Sequence, residues 1–373
     1  MLEDADVLRM IRRRLGLGDG LGMLQPECGG TGHSSIDGAI GSIMAEKFGS
    51  VPVWEYSAIV KAPDGASGLT CYSDVAIAPS AFSNSSVERV SLPNYTNADG
   101  SNSQFRDAKS LRTVSMPLCQ SAYDYMFMNC WSLESVDFAP RKVGNLSFYD
   151  CKKLKSIDLS RCTSIVNQSF KGCKSLTGTI DLTACGNGVG TESFAGSGVE
   201  CLVLSADGNG WNSRAFAAMD ALKKVVFKNS VTVSMLSSSG YAPFGGSTAV
   251  EHVVFEGGIH DTSNNKKEFG FGNVKAIELH APAEWSGSST MKISTTGNNV
   301  THFWISAGVD AQRNGRQAFA ADNGGVAELW CEAASQPAGW ESLPVGKGKS
   351  GDGGTINVHW GATYEQFKQA AGI

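Results

Sequence analysis

Charge is scarce in this sequence: Asp, Glu, Lys and Arg make up 18% of its 373 residues, against about 25% in an average globular protein. Hydrophobic residues reach 42%, which excludes a disordered chain, since disorder needs low hydrophobicity together with high net charge. No run approaches 18 consecutive apolar residues, so no membrane insertion is expected. The formal charge of -5 argues against a nucleic-acid coat, and no nucleic-acid partner is expected. Ten cysteines contain no CxxC pair, which argues against a zinc ribbon or a thioredoxin-like centre. The six histidines form no HExxH spacing, and GxSxG is missing. Gly348-Lys349-Ser350 looks like the end of a phosphate loop, but the first glycine of such a loop would fall on Leu343. Catalytic residues, a metal site and a cofactor are therefore not expected. Residues 1–20 are charged and amphipathic, with Arg12, Arg13 and Arg14 in their middle, and do not read as a secretory signal. The chain is expected to be made in the cytoplasm and to reach the exterior, if at all, by another route.

A repeat fills most of the remainder. Phenylalanine recurs at Phe82, Phe105, Phe127, Phe148, Phe170, Phe194, Phe216, Phe244 and Phe269, at intervals of 21 to 28 residues, with weaker copies near Ile293 and Phe319. Five to seven residues after each anchor stands a segment with apolar residues at relative positions 0, 3 and 5, as in Leu111-Val114-Met116, Leu133-Val136-Phe138 and Leu154-Ile157-Leu159. The copy at Leu176-Ile180-Leu182 carries one extra residue. The step from 3 to 5 is strand alternation, with two side chains on the inner face. A unit this small cannot bury its own apolar face, so neighbours must stack and share a continuous core. The expected fold is a β-rich solenoid of about eleven repeats, one short parallel strand per repeat, roughly 50 Å long at about 4.8 Å per strand.

These residues resemble the BspA-like class of leucine-rich repeat, whose unit reads approximately aFxxCxxLxxIxLP. Phe127-Met128-Asn129-Cys130-Trp131-Ser132-Leu133-Glu134-Ser135-Val136-Asp137-Phe138 matches closely, as does the run from Phe148 to Leu159. The resemblance covers about Val75 to Trp340. It implies surface display and binding without specifying one ligand.

Near the start, Gly29-Gly30-Thr31-Gly32 resembles a segment of bacteriophage tail-fibre and tail-associated proteins, although His33-Ser34-Ser35 stands where Ala-Thr-Thr is common. The plain alternative is a glycine turn. Near the end, Leu329 to Trp340 resembles the closing segment of such arrays and is expected to cover the last rung, as solenoids need caps. Three regions follow: 1–50 as a tail-attachment-like segment, 51–340 as the leucine-rich repeat solenoid, and 341–373 as a flexible stretch and cap, with a short helix over Tyr364 to Ala371.

Two surfaces are candidates for binding. On the strand face, Ser135 and Asp137, then Ser156 and Asp158, then Thr179 and Asp181 are expected on adjacent rungs. Three carboxylates at one strand spacing repel, so nearby lysines, a cation, or a basic or hydroxyl-rich ligand must offset them. The second surface is basic: between residues 141 and 174 lie Arg141, Lys142, Lys152, Lys153, Lys155, Arg161, Lys171 and Lys174 against only Asp150 and Asp158. Such a band either attracts an anionic polymer, such as a cell-wall glycopolymer or acidic glycan, or is a solvated turn surface. Cys130, Cys151 and Cys173 lie three residues after their anchors, and Cys119, Cys162 and Cys185 eight or nine before the next, as two ladders of buried thiols. Trp285, Trp304, Trp330, Trp340 and Trp360 gather in the last quarter as core and cap residues or as stacking platforms for sugars.

The expected function is recognition without catalysis. The phage resemblance implies a tail fibre or receptor-binding protein on the virion tail, released by lysis. It would bind a bacterial surface polysaccharide or protein receptor and contact other tail proteins through its first 50 residues. Tail fibres of this type are often trimers, which admits a homotrimer. The alternative is an adhesin on the bacterial cell surface that binds host matrix protein. A depolymerase would need paired carboxylates in one cleft, and the aspartates here sit on a flat sheet.

Overall fold

The computed structural model describes residues 53–54, 58–72, 74, 76–97, 100–186, 188–205, 211–232, 243–261, 273–281, 283–285, 293–294, 300–309, 319–320, 326–338 and 355–373. Within them the chain winds as a leucine-rich repeat solenoid whose strands are all parallel, each turn contributing three segments.

The first segment carries the 0, 3, 5 pattern and builds the front face. Val53–Trp54, Gly68–Cys71, Arg89–Ser91, Thr113–Ser115 and Ser135–Asp137 form a five-stranded sheet. An eight-stranded sheet follows: Thr179–Asp181, Cys201–Leu204, Lys224–Phe227, His252–Phe255, Ala276–Leu279, His302–Ile305, Val326–Cys331 and Thr355–Trp360. Equivalent residues stand opposite one another, Val90 to Val114 to Val136 and Leu202 to Val225 to Val253. The two sheets part where the repeat carries its extra residue. Ser135 still bridges Ser156, but Ile157 to Leu159 pair with no strand of the next turn, because Thr177 and Gly178 displace it as a bulge does.

The second segment is a shorter ladder, Ser121–Ala122, Lys142–Val143 and Ser164–Ile165, continued by single bridges to Val189 and Trp211. The third is the phenylalanine turn. Residues two before and two after the anchor have positive φ: Tyr125 (60°) and Asn129 (61°) around Phe127, Leu146 (52°) and Asp150 (57°) around Phe148. The left-handed region disfavours most side chains and tolerates Asn, Asp and Gly. That explains Asn84, Asp107, Asn129, Asp150, Gly172, Gly196 and Gly246 two residues after their anchors; Ala218, two after Phe216, takes the same conformation (50°) without such a residue. The turns also bond to each other, for the Phe127 N–H donates to Ser147 O (2.7 Å) and the Phe148 N–H to Ser169 O (2.8 Å).

Among the described residues the core of the solenoid is a continuous cluster from Ile59 to Ile356, beside a smaller one under the terminal helix. Its axis is a stack of anchor rings, with centroids 5.0 Å apart for Phe105–Phe127, 5.1 Å for Phe127–Phe148, 5.1 Å for Phe148–Phe170 and 5.0 Å for Phe170–Phe194. The cysteines are small core residues with a fixed role: Cys130, Cys151 and Cys173 are buried and donate to the carbonyls of Phe105, Phe127 and Phe148, one turn back.

The front ladder extends beyond the recognisable repeat at both ends. Gly68–Cys71 precedes the first anchor, and Thr355–Trp360 pairs along its whole length with Val326–Cys331. The segment from Leu329 expected to cover the last rung is therefore itself a rung through Cys331, and the sheet runs past residue 340 to Trp360. The terminal helix, Tyr364–Ala371, begins at a capping box between Thr363 and Gln366 and ends on Gly372 with φ of 69°. It lies against the outer face of the front sheet, where Phe367 packs with Ala276 and Trp304. The Gly29 to Gly32 segment and residues 341–354 lie outside the described residues.

Candidate recognition site

Between the inward residues, each front strand turns two side chains outward, and parallel register makes two columns of them. One column reads Gly68, Arg89, Thr113, Ser135 and, across the bridge, Ser156. The other reads Thr70, Ser91, Ser115 and Asp137. Small hydroxyl side chains leave a shallow groove of about 350 Å³ there, lined by Thr70, Arg89, Ser91, Thr113, Ser115, Ser135 and Asp137 among others. Arg89 is exposed on one side and Asp137 on the other.

Ser135 and Asp137 thus line the groove, and Ser156 stands next to it. Asp158 and Asp181, also exposed, do not continue the column in register, because the ladder is broken between them. Nor do lysines offset the aspartates. Asp137 accepts from the Ser115 hydroxyl (3.0 Å), Asp158 from the Ser160 N–H (2.9 Å), and Asp181 from the Thr183 N–H (2.8 Å) and hydroxyl (2.6 Å). Hydrogen bonds from Ser160 hold the Asp158 carboxyl below its ordinary value.

The basic residues divide between parts of the turn. Lys142 lies in the second ladder, Lys152, Lys153 and Lys174 stand exposed between an anchor phenylalanine and the following front segment, and Lys155 stands exposed inside that segment, after Leu154. Lys155 is paired with Glu134 (2.7 Å), Lys171 with Glu192 (2.6 Å), and Lys152 lies 3.8 Å from Asp150. Hydrogen bonding to Lys155 lowers the Glu134 carboxyl, and the pairing of Glu192 with Lys171 lowers that one.

The outer face changes character toward the C-terminus, where internal partners occupy it. Glu278, buried on the outer face of its strand, accepts from the His252 imidazole (2.5 Å), His280 (2.7 Å) and the Tyr364 hydroxyl of the terminal helix (2.9 and 3.0 Å). Burial pushes its carboxyl up, and the bonds from His252, His280 and Tyr364 outweigh that and hold it at about 2. Trp304 is buried under the helix, and Trp330 stacks on His359 at 4.0 Å. The side chains of Trp285 and Trp340 lie outside the described residues. Two features escaped the sequence reading. One is the row of buried serines just before the anchors, where Ser169 and Ser193 donate to Gly144 O (2.9 Å) and Val166 O (2.8 Å) of the preceding turn. The repeated Ser-Phe dipeptide was its signal. The other is the exposed Trp131, outside the tryptophan-rich last quarter.

Six copies of the BspA type leucine-rich repeat region match residues 73–155 and 141–266. The chain belongs to this repeat family. A solved leucine-rich repeat protein from Bacteroides ovatus ATCC 8483 is similar at 11% identity and a TM-score of 0.26, over 76% of this chain and 88% of that one. No curated protein matches the chain. Membership in the BspA-type family suggests a recognition or adhesion role for the solenoid.

Proposed function

We propose that this chain is a non-enzymatic recognition protein whose binding face is the N-terminal half of the front sheet. The observation that carries this reading is the contrast along one surface. From Gly68 to Ser156 the outward columns are hydroxyls flanked by Arg89 and Asp137 over an open groove, whereas from His252 onward the same columns are occupied by the protein's own helix and histidines. Hydroxyls repeated at strand spacing supply donors and acceptors in the density that a polyhydroxylated glycan or a polar protein surface presents.

The Gly29-Gly30-Thr31-Gly32 segment supports a place on a bacteriophage tail, with a bacterial surface polysaccharide or protein as receptor, other tail proteins bound through residues 1–50, and a homotrimer as the assembly. Family membership supports a second reading, an adhesin on the bacterial cell surface that binds host matrix protein. The test is binding of the labelled full chain to a panel of intact bacterial strains, beside immobilised matrix proteins. Strain-selective binding that is competed by the strain's own envelope polysaccharide, and reduced at least tenfold by Arg89→Ala with Asp137→Ala, is the expected result. Binding to matrix proteins alone would move the assignment to the adhesin. Binding indifferent to both substitutions would remove the groove from the reading.

A further inference from the structure

Four residues after successive anchors the chain carries Lys109, Trp131, Lys152 and Lys174. Each makes the same backbone turn, its N–H donating to the carbonyl two residues back: Lys109 to Asp107, Trp131 to Asn129, Lys152 to Asp150 and Lys174 to Gly172, all at 2.8 or 2.9 Å. The four side chains therefore leave the solenoid at equivalent points on consecutive turns. The anchor rings behind them are stacked at 5.0 to 5.1 Å, so the four form a column along one edge. This edge is separate from the front-face groove.

The chemistry of the column is specific. Trp131 is 42% exposed, an unusual state for the largest apolar side chain, and it belongs to no core cluster among the described residues. Lys109 Nζ lies 4.6 Å from its ring centroid and Lys152 Nζ 5.1 Å, one from each neighbouring turn. Among the described residues, Lys109 and Lys174 have no carboxylate within ion-pair distance, and Lys152 has only Asp150 at 3.8 Å. Lys153 adds a further exposed ammonium. The neighbouring column behaves differently. Arg112 sits between Glu88 (3.4 Å) and Glu134 (3.5 Å), and Glu134 also holds Lys155 (2.7 Å), so its charges neutralise one another.

We propose that Lys109, Trp131, Lys152 and Lys174 bind an acidic polysaccharide laid along the solenoid edge, one sugar ring stacked on Trp131 and its carboxylates on the flanking ammoniums. An exposed indole offers an apolar platform for the C–H face of a sugar. An ammonium resting on an aromatic face in water is held weakly and exchanges readily for a charge-assisted bond to a carboxylate. A single-stranded nucleic acid would call for a series of aromatics on which successive bases stack, and this column holds one.

The test is titration of the full chain with polygalacturonate and hyaluronan, followed by tryptophan fluorescence and calorimetry, beside dextran, polyglutamate and oligo-dT. Binding of the two polyuronates is expected, weakened by salt, with dextran inert. Trp131→Ala and the pair Lys109→Gln with Lys152→Gln should each weaken it at least tenfold, while Lys142→Gln in the second ladder leaves it unchanged. Circular dichroism of the variants should match the parent, because all these side chains are exposed. No binding of either polyuronate would overturn the proposal. So would polyglutamate binding as tightly and unaffected by Trp131→Ala, which would mean anion attraction alone, or oligo-dT binding tighter than both polyuronates. Asp137→Ala perturbs only the groove and separates failure of this site from failure of the front-face reading.

Discussion

At Asn129 two demands meet in one side chain. Its backbone is left-handed, φ 61°, and its amide donates to the Asp107 carboxylate on the preceding turn at 2.8 Å. Replacement by glycine removes only the hydrogen bond, worth about 1 kcal/mol. Replacement by alanine also places a Cβ in the left-handed region, at roughly 1–2 kcal/mol more. Asn129→Ala should therefore lower stability by about 2–3 kcal/mol and Asn129→Gly by about 1 kcal/mol, read from urea midpoints at constant slope. Equal effects would show that the hydrogen bond, and not the backbone, selects the residue. Gly172 occupies the same position with φ of 79°, and there a Cβ would need only the movable Asp150 carboxylate to step aside, so the backbone alone selects glycine.

The terminal helix, Tyr364–Ala371, has eight residues, too few to persist alone in water, so its stability comes from what it docks on. Phe367 fills the space beside Trp304, and the Tyr364 hydroxyl reaches Glu278. A carboxyl held at about 2, against about 4.3 in an unfolded chain, contributes stability that is fully present above the unfolded value. That contribution is lost as pH falls toward 2, because the unfolded state then binds a proton that the folded state refuses. Acid should release the helix between about pH 4.5 and 2, withdrawing up to about 3 kcal/mol, and Trp304 fluorescence would report it. Tyr364→Phe removes a bond that lowers the Glu278 carboxyl, so the transition should move to higher pH, with about 1–2 kcal/mol lost at neutral pH. An unchanged acid midpoint in Tyr364→Phe would show that the helix is held by Phe367 alone. The helix itself was legible in the sequence, and so was the rung pattern at positions 0, 3 and 5, because both are local periodicities. The docking was not, since Tyr364 and Glu278 are 86 residues apart and no local pattern links them. Ser135 and Asp137 were legible as neighbours for the same local reason, but the break beyond Asp158 depends on how one extra residue is absorbed in three dimensions. The rungs at Gly68–Cys71 and Thr355–Trp360 escaped because no anchor phenylalanine marks them.

In the whole molecule, stability passes from turn to turn, as in any stacked repeat, so the weakest interface decides whether the chain unfolds as one body. Among the described residues the front-face ladder is interrupted between Asp158 and Thr179, which makes that interface the candidate. Other connections still cross it, among them the ring stack through Phe148, Phe170 and Phe194, the bridge from Ile165 to Val189, the hydroxyls of Ser169 and Ser193, and the backbone bonds from Ser175 N–H to Lys152 O (3.2 Å) and Thr177 N–H to Lys155 O (3.3 Å). Phe105 lies in the five-stranded half, where the front ladder is intact, whereas Phe170 lies at the break. Both are fully buried, so truncation to alanine removes similar packing, about 3–5 kcal/mol by analogy with other cores. The consequences should differ in kind. Phe105→Ala should shift a single unfolding transition to lower denaturant, because strand pairing still carries the coupling. Phe170→Ala removes the ring that joins Phe148 to Phe194 across the break and should split unfolding into two transitions, one for each sheet, visible in urea titrations and in amide exchange. A single transition in both variants would mean that the second ladder, the serine row and the backbone bonds between turns suffice to join the two halves.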